Sequence, residues 1–243
     1  MFDREEFDAA KLSNAARQAA DPELQSLVRD FVVQSDKFGY AYQWTWLGLP
    51  IIQMPADIVC VQEIIWRTRP TVIVETGIAW GGSIALYASL LELIGRGKVI
   101  AVDTVIPRKN VDAIKDYKFA DRITLIEGSS VDPLVVSSIV AAIKSEDRVM
   151  VLLDSNHNHD HVLAELRSYA PLVTASQYLV VSDTIVETIP TQTHRPRSWG
   201  PGNNPLTAVR AYLAETDRFV IDEYFNAKLG PSFSPGGYLK CKG

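Results

Sequence analysis

The chain has 243 residues, 47% hydrophobic and 22% charged, the balance of a globular protein rather than a disordered or fibrous one. Its formal net charge of −5 argues against a nucleic-acid backbone as the main partner, because such binders need a basic face. No apolar run is long enough to span a bilayer, so no membrane partner is expected. The opening residues MFDREEFD lack the charged-then-apolar layout of a signal peptide, and Cys60 and Cys241 are too few for a disulfide framework or a zinc knuckle. A cytoplasmic protein with two buried thiols is the expectation.

The first firm element starts at Asp21-Pro22, an N-cap followed by proline at the first helical position. Leu24, Leu27, Val28, Phe31 and Val32 then recur at helical spacing and give one apolar face, which permits a subunit contact without requiring one. From Phe38 to Pro50 the text FGYAYQWTWLGLP is aromatic and without period, as in an ordered loop packing over something. A helix follows from about Ala56 to Thr68, ended by Arg69-Pro70. Beyond it, short β-branched runs alternate with helices: strands at Thr71–Glu75, Lys98–Val102, Ile123–Ile126, Val149–Leu153 and Tyr178–Val181, helices at Gly82–Ile94, Asn110–Phe119, Pro133–Lys144 and Asp160–Tyr169. The runs are apolar throughout, as parallel strands buried on both faces should be. A helix over Pro205–Glu215 leads to Arg218–Asp222 and Gly237–Cys241, with no helix predicted between these last two strands, so they should pair antiparallel. The fold class is therefore α/β: a Rossmann-like, doubly wound, mostly parallel sheet with a C-terminal antiparallel strand. Residues 1–54 read as a helical extension with an aromatic lid segment, and 55–243 as the Rossmann-like domain.

The turn after the first strand of that domain carries chemistry. Dinucleotide sites place G-x-G-x-x-G there. Here the strand ends in Glu75, then Gly77, Gly81, Gly82 and Ser83 follow. Glycines let the backbone turn sharply and approach a ligand. Glu75 is a poor neighbour for a pyrophosphate and a good one for a cation such as a sulfonium. Asp103 ends the next strand, where a carboxylate can accept from both ribose hydroxyls. The plainer alternative is a tight strand-to-helix turn with a capping acid.

This segment resembles motif I of class I methyltransferases. The stretches RPTVIVETGIAWGGSIALYAS, LLDSNHNHDHVLAELRSYAPLV and YLVVSDTIVE, within a likeness running from about Tyr40 onward, resemble the cephalosporin hydroxylase family, which also covers rhamnosyl O-methyltransferases. The resemblance implies S-adenosylmethionine as cofactor, with Glu75, Gly77, Gly81, Gly82 and Ser83 around its methionine part. It implies Asp103 at the ribose and Ser129-Ser130 near the adenine, with Asp154 bordering the same site.

Asp154 and Asp183 end the fourth and fifth strands, at the edge where open α/β sheets bind ligands, and two carboxylates there can share one hard cation. His157 is close enough to reach a hydroxyl bound beside them. Family members with magnesium use an acid at the fourth strand end, an adjacent acid pair at the fifth, and a basic histidine three residues after the first acid. Asp154, His157 and Asp183 match; Ser182 stands where a glutamate is implied, with Ser182, Thr184, Glu187 or water as stand-ins. The resemblance thus implies Mg2+ on Asp154 and Asp183 and a catalytic role for His157, Asp154 and Asp183. Against this stand a simple helix cap for the acids and a solvated histidine. His159, Asp160 and His161 read as a helix start and supporting residues.

The connection Thr184–Asn204 holds Pro190, Pro196, Pro201 and Gly202 and resists regular structure. It carries His194, Arg195, Arg197 and Trp199, a set suited to a sugar ring or an acidic acceptor, or else a plain surface loop. Together these features give an S-adenosylmethionine-dependent O-methyltransferase with a small-molecule acceptor, a glycoside or natural product. Two rivals are a cofactor-binding partner protein that transfers nothing and, from the string His157-Asn-His159-Asp160-His161, a metal-dependent hydrolase.

Overall fold

The structure, a computed structural model, describes residues 3–243. Met1 and Phe2, which open the stretch that lacks a signal peptide's layout, lie outside the described residues. Two helices come first, α1 (Arg4–Ala20) and α2 (Pro22–Asp36). Asp21 caps α2 as expected, accepting from the N–H groups of Glu23 and Leu24. The additional α1 begins at an equivalent cap, Asp3, which accepts from the N–H groups of Glu5 and Glu6. Its polar text gives no apolar period to read. The expected apolar face of α2 divides in two: Val32 is buried with Met54, Ile185 and Ile189, whereas Leu24, Leu27 and Phe31 stay exposed.

The aromatic stretch forms a 3-10 turn at Tyr40–Gln43 and a tight hairpin of β1 (Thr45–Trp46) and β2 (Leu49–Pro50). It packs on the body: Trp46 Nε1 donates to Ser89 Oγ at 3.1 Å and Tyr117 donates to the Leu47 carbonyl at 2.7 Å. Then α3 (Pro55–Thr68), β3 (Val72–Thr76), α4 (Gly82–Ile94), β4 (Lys98–Asp103), α5 (Arg108–Lys115), β5 (Ile123–Glu127), α6 (Pro133–Ala141), β6 (Val149–Leu153), α7 (His159–Tyr169) and β7 (Tyr178–Val181) alternate. The tail is α8 (Pro205–Glu215), β8 (Phe219–Ile221), α9 (Glu223–Ala227) and β9 (Tyr238–Cys241). The expectation of no helix between the last strands is corrected by α9, a short helix capped by the Asp222 carboxylate on the Phe225 N–H.

The seven-stranded sheet has the order β5-β4-β3-β6-β7-β9-β8. Its first five members are parallel, and β9 runs antiparallel between β7 and β8. Strands β3, β6 and β7 are buried along their whole length. One apolar core packs α3 and α4 on one face of the sheet, and another packs α7 and α8 on the other. The chain leaves β3 toward β4 and β5, then returns to place β6 on β3's other side. Ligands of open α/β sheets bind at that reversal, beyond the carboxyl ends of the strands. Among the described residues no helix is long and apolar enough to cross a membrane.

Closure of this crevice rests on one backbone contact. Gly77 has φ +92°, and a Cβ built there falls 2.1 Å from the Asp154 carbonyl oxygen. Gly48 shares the φ of +92° but has nothing within 4 Å. Gly77→Ala should therefore cost about 3 kcal/mol or more, backbone strain plus a clash, against about 1 kcal/mol for strain alone in Gly48→Ala. Urea unfolding of the two variants measures the difference; equal losses would show that the Gly77–Asp154 approach is not a constraint.

Candidate active site

The carboxyl end of β3 sets a buried acid behind the glycine turn. Glu75 is 1% exposed and accepts from Ser83 Oγ at 2.9 Å and Tyr87 OH at 3.1 Å. Burial pushes its carboxyl up to about 8, against the two hydrogen bonds that favour the charged form. Gly77 N–H donates to the Val102 carbonyl, which pins the turn to β4. Asp103, at the end of β4, takes the N–H groups of Ile78 (2.7 Å) and Ala79 (3.2 Å) on Oδ2. This holds Ala79 in the left-handed region at φ +45°. Oδ1 keeps only a 3.3 Å contact from Thr104 Oγ1 and is the oxygen left for a ligand.

A cavity of about 320 Å³ opens beside this turn, walled by Gly77, Ala79, Asp103, Ser130, Asp154 and His161 among others. Gly77, Asp103 and Ser130 thus share one wall, as the sequence anticipates. Glu75 and Ser83 lie behind it, bonded to each other. Gly81 and Gly82 make their close approaches to protein instead: a Cβ at Gly81 would meet the Ile114 side chain, and one at Gly82 the Pro50 carbonyl at 2.3 Å. Ser129 turns the chain, its carbonyl accepting from the Asp132 N–H.

His161, expected to be a supporting residue, lines this cavity. Its Nε2 lies 3.2 Å from Ser130 Oγ and 3.3 Å from Ser155 Oγ, and 3.5 Å from the fully buried Glu165. The i, i+4 spacing of His161 and Glu165 on one helix was the available signal.

Asp154, His157 and Asp183 converge, with one ligand atom from each lying within 4.8 Å of the others. His157 Nε2 is 3.4 Å from Asp183 Oδ2. Asp183 itself sits at φ +56°, a left-handed conformation that aspartate tolerates. Burial, then the charges of Asp183 and Glu75, hold the Asp154 carboxyl well above the usual range, and a hydrogen bond from Ser182 opposes this. Asp57, which the sequence alone does not single out, lies beneath; burial raises it to about 6 although Ser232, Tyr238 and the Phe233 N–H all donate to it. Among the described residues no lysine or arginine pairs with any of these four acids, and the ion partner of Asp183 is His157. Such a charge deficit suits a cation, and two carboxylates beside an imidazole suit a hard divalent ion with open positions. Of the stand-ins for the missing acid, Ser182 alone faces Asp154. Thr184 Oγ1 donates to the Pro235 carbonyl at 2.8 Å, and Glu187 accepts from Asn204 Nδ2 at 2.6 Å and from the Gly202 N–H at 2.8 Å.

A second cavity, about 340 Å³, lies on the other side of Asp154. Its walls join the acid–imidazole end to apolar Val32, Ile185 and Phe233 and to Tyr42, Arg195 and Trp199. The Thr184–Asn204 connection is thus a wall of this cavity, and it is tied down. Arg195 Nη2 reaches Asp36 Oδ1 at 2.6 Å and its Nη1 reaches Tyr42 OH at 2.7 Å, while His194 Nε2 lies 2.8 Å from Asp36 Oδ2. The aromatic stretch supplies Tyr42 and packs with the rest.

A family model for rhamnosyl O-methyltransferase/CmcI matches residues 38–242. A rhamnosyl O-methyltransferase of Mycobacterium tuberculosis is 32% identical over 202 residues, covering 80% of this chain and 77% of that protein. This chain belongs to the rhamnosyl O-methyltransferase/CmcI family. The rhamnosyl O-methyltransferase of Mycobacterium leprae is likewise 32% identical, over 199 residues, 80% of this chain and 82% of that one. At 18% identity a solved CmcI described as Mg-SAM shares the fold, with a TM-score of 0.59 over 83% of this chain and 78% of that chain. An O-methyltransferase from Bacillus cereus, solved with SAH, does so at 14% identity and a TM-score of 0.50, over 88% and 90%. The family membership makes this an S-adenosylmethionine-dependent O-methyltransferase. The hydrolase alternative finds no support in geometry, since among the described residues the histidine cluster disperses: His159 Nδ1 faces Thr207 Oγ1 at 2.8 Å, and His161 faces the first cavity.

The uncompensated Glu75 carries a pH signature. The folded chain binds its proton more tightly than the unfolded chain, where the group titrates near 4.5. The contribution of Glu75 to ligand-free stability should therefore decline as pH rises from about 4.5 to about 8 and level off above. Glu75→Gln keeps the shape and removes that cost. At pH 8.5 it should exceed the wild type by a few kcal/mol, because each pH unit separating the folded and unfolded titrations is worth ~1.4 kcal/mol. Parallel urea-stability profiles for the two proteins across that range would show that the acid is not held protonated.

Proposed function

We propose that the chain transfers a methyl group from S-adenosylmethionine to a hydroxyl of a sugar or natural-product acceptor, with the cofactor in the Gly77–Asp103–Ser130 cavity and the acceptor in the cavity beyond Asp154. The observation that carries this reading is the shared wall: both cavities meet at Asp154, where acids lack a balancing cation. The mycobacterial relatives named for rhamnosyl groups favour a glycosyl hydroxyl as the acceptor.

Glu75, held by Ser83 and Tyr87, keeps its proton when no ligand is bound because it is buried, and a sulfonium and an amino group beside it would favour its charged form. Asp103 fixes that turn with one oxygen and offers the other to the ribose, and Ser130 with Ser129 borders the adenine end. Asp154 and Asp183 would hold a magnesium ion, which lowers the acceptor hydroxyl's pKa when bound. His157 directs Nε2 at Asp183, which fixes the imidazole and leaves Nδ1 to take the hydroxyl proton. The acceptor oxygen forms its bond to the methyl carbon as the carbon–sulfur bond breaks. S-adenosylhomocysteine leaves, and the proton resides on His157 until solvent removes it. Holding oxygen and methyl in line supplies much of the rate. A cytoplasmic setting goes with this reading.

Calorimetry should show S-adenosylhomocysteine binding, and Asp103→Ala should weaken it by about 1.5–3 kcal/mol, the size of a hydrogen bond to a charged group. Equal affinity in the variant removes Asp103 from the site, and a wild type that binds nothing overturns the reading. Turnover against a glycoside panel, methyl rhamnoside first, separates an enzyme from a partner protein that only binds the cofactor.

With Ser182 in place of an acid, the ion should be weakly held. Chelator should abolish turnover and magnesium restore it, while full activity in excess chelator would falsify the metal assignment. His157→Ala should lower turnover roughly 10²–10⁴-fold with cofactor affinity intact. If that variant instead loses Mn2+ binding, as read by electron paramagnetic resonance, His157 is a third ligand rather than the base.

A further inference from the structure

The two cavities share four lining residues: Ala79, Asp154, Ser155 and Trp199. They frame the passage between cofactor and acceptor sides. Three of them are fixed by the sheet edge. Ala79 is held by Asp103 and by Asn110 Nδ2 on its carbonyl at 2.6 Å, Asp154 N–H donates to the Thr76 carbonyl, and Ser155 Oγ donates to Glu165 at 2.6 Å. Trp199 alone comes from the Thr184–Asn204 connection, and it is the only large side chain of the four.

Its ring is held on two sides. His157 meets it edge-on, with ring centroids 4.9 Å apart at 71°, and the Arg197 guanidinium lies 5.1 Å from its centroid. The backbone on either side is fastened to the segment that bears His157. Asn203 Oδ1 accepts from the His159 N–H at 2.9 Å, and Asn203 Nδ2 donates to the Ser198 carbonyl at 3.2 Å. Gly200 and Asn203 exchange backbone hydrogen bonds, and Asn204 Nδ2 donates to the Gly200 carbonyl at 2.9 Å. These bonds tie the backbone around Trp199 to the segment that bears His157.

We propose that Trp199 is a positioning residue for methyl transfer: it touches the bound cofactor on one side of the passage, buttresses the His157 ring, and closes the passage around the acceptor oxygen. The inference rests on the two-cavity reading given above. An indole there narrows the opening to the line between oxygen and methyl, and it covers the reacting atoms from water. Small errors in that line are expensive, since a 1 Å displacement costs on the order of 10²-fold in rate.

The test uses S-adenosylhomocysteine and intrinsic fluorescence. The wild type should change emission on binding; most of that change should disappear in Trp199→Phe and persist in Trp80→Phe, which alters the exposed tryptophan of the glycine turn. Binding by calorimetry with no emission change, or a change that survives Trp199→Phe and vanishes in Trp80→Phe, overturns the proposal. A wild type that does not bind S-adenosylhomocysteine fells the cofactor site first and this proposal with it. With the glycoside turned over fastest, Trp199→Ala should lower kcat roughly 10²-fold while S-adenosylhomocysteine affinity changes less than tenfold, and Trp199→Phe should restore most of the rate. An alanine variant with wild-type kcat leaves Trp199 a passive wall, even though the transferase reading stands.

Discussion

The site depends on how closely the ends of β3 and β6 approach. Gly77 leaves no room for a side chain because the Asp154 carbonyl occupies that space, and Asp154 N–H is returned to the Thr76 carbonyl. This pair of contacts brings the glycine turn and the β6–α7 turn edge to edge. What the turns carry is then placed in common: Glu75 at the head of one, with Asp103 of β4 bonded to that turn, and Asp154, Ser155 and His157 from the other. A wider separation would leave two unrelated loops. The same closeness forces buried acids together, so the ligand-free molecule holds protons on Glu75 and Asp154 more tightly than free carboxyls would, an arrangement that suits a cationic ligand.

Much of this was legible from residue order. Strands buried on both faces show as unbroken apolar runs, which is why β3, β6 and β7 fall within a residue of expectation. Acids at the ends of such runs must lie at one edge, so Asp103, Asp154 and Asp183 could be grouped before any contact was known. Helix α1 escaped because it packs mainly through Ala15 and through Gln18, whose Nε2 donates to the Lys228 and Leu229 carbonyls, rather than by an apolar stripe. Asp57 does leave a trace in the sequence: it occupies an inward position of α3 in register with Val61, Ile64 and Ile65, where an acid must find donors. The attachment of Arg195 to Asp36 spans 159 residues and has no local signature.

Glycines teach a similar lesson. A glycine-rich turn invites the reading that each glycine makes room for a ligand, yet Gly81 makes room for Ile114 and Gly82 for the backbone of β2. The first sets the start of α4 against α5 and the second sets it against the hairpin, and α4 carries Ser83 and Tyr87 to Glu75. The aromatic segment thus packs against the helix that supplies the hydrogen-bond donors of Glu75, without touching the acid itself.

The serine at position 182 bears on how the enzyme is tuned. A carboxylate there would add a third negative charge beside Asp154 and Asp183, tightening a divalent ion and repelling Asp154 further. Ser182 instead donates a hydrogen bond that favours the charged form of Asp154. Thr184 and Glu187 cannot replace the missing acid, because one fastens the Pro235 turn and the other clasps Gly202 and Asn204 at the base of the Trp199 segment. Under the proposed reading the ion would rely on Asp154, Asp183, water and the acceptor itself, which would tie its occupancy to the presence of acceptor. In such an arrangement more of the task of deprotonating the hydroxyl would fall to the proposed base, His157, and the contacts of its ring with Asp183 and Trp199 would matter more than in a site with a full set of acids.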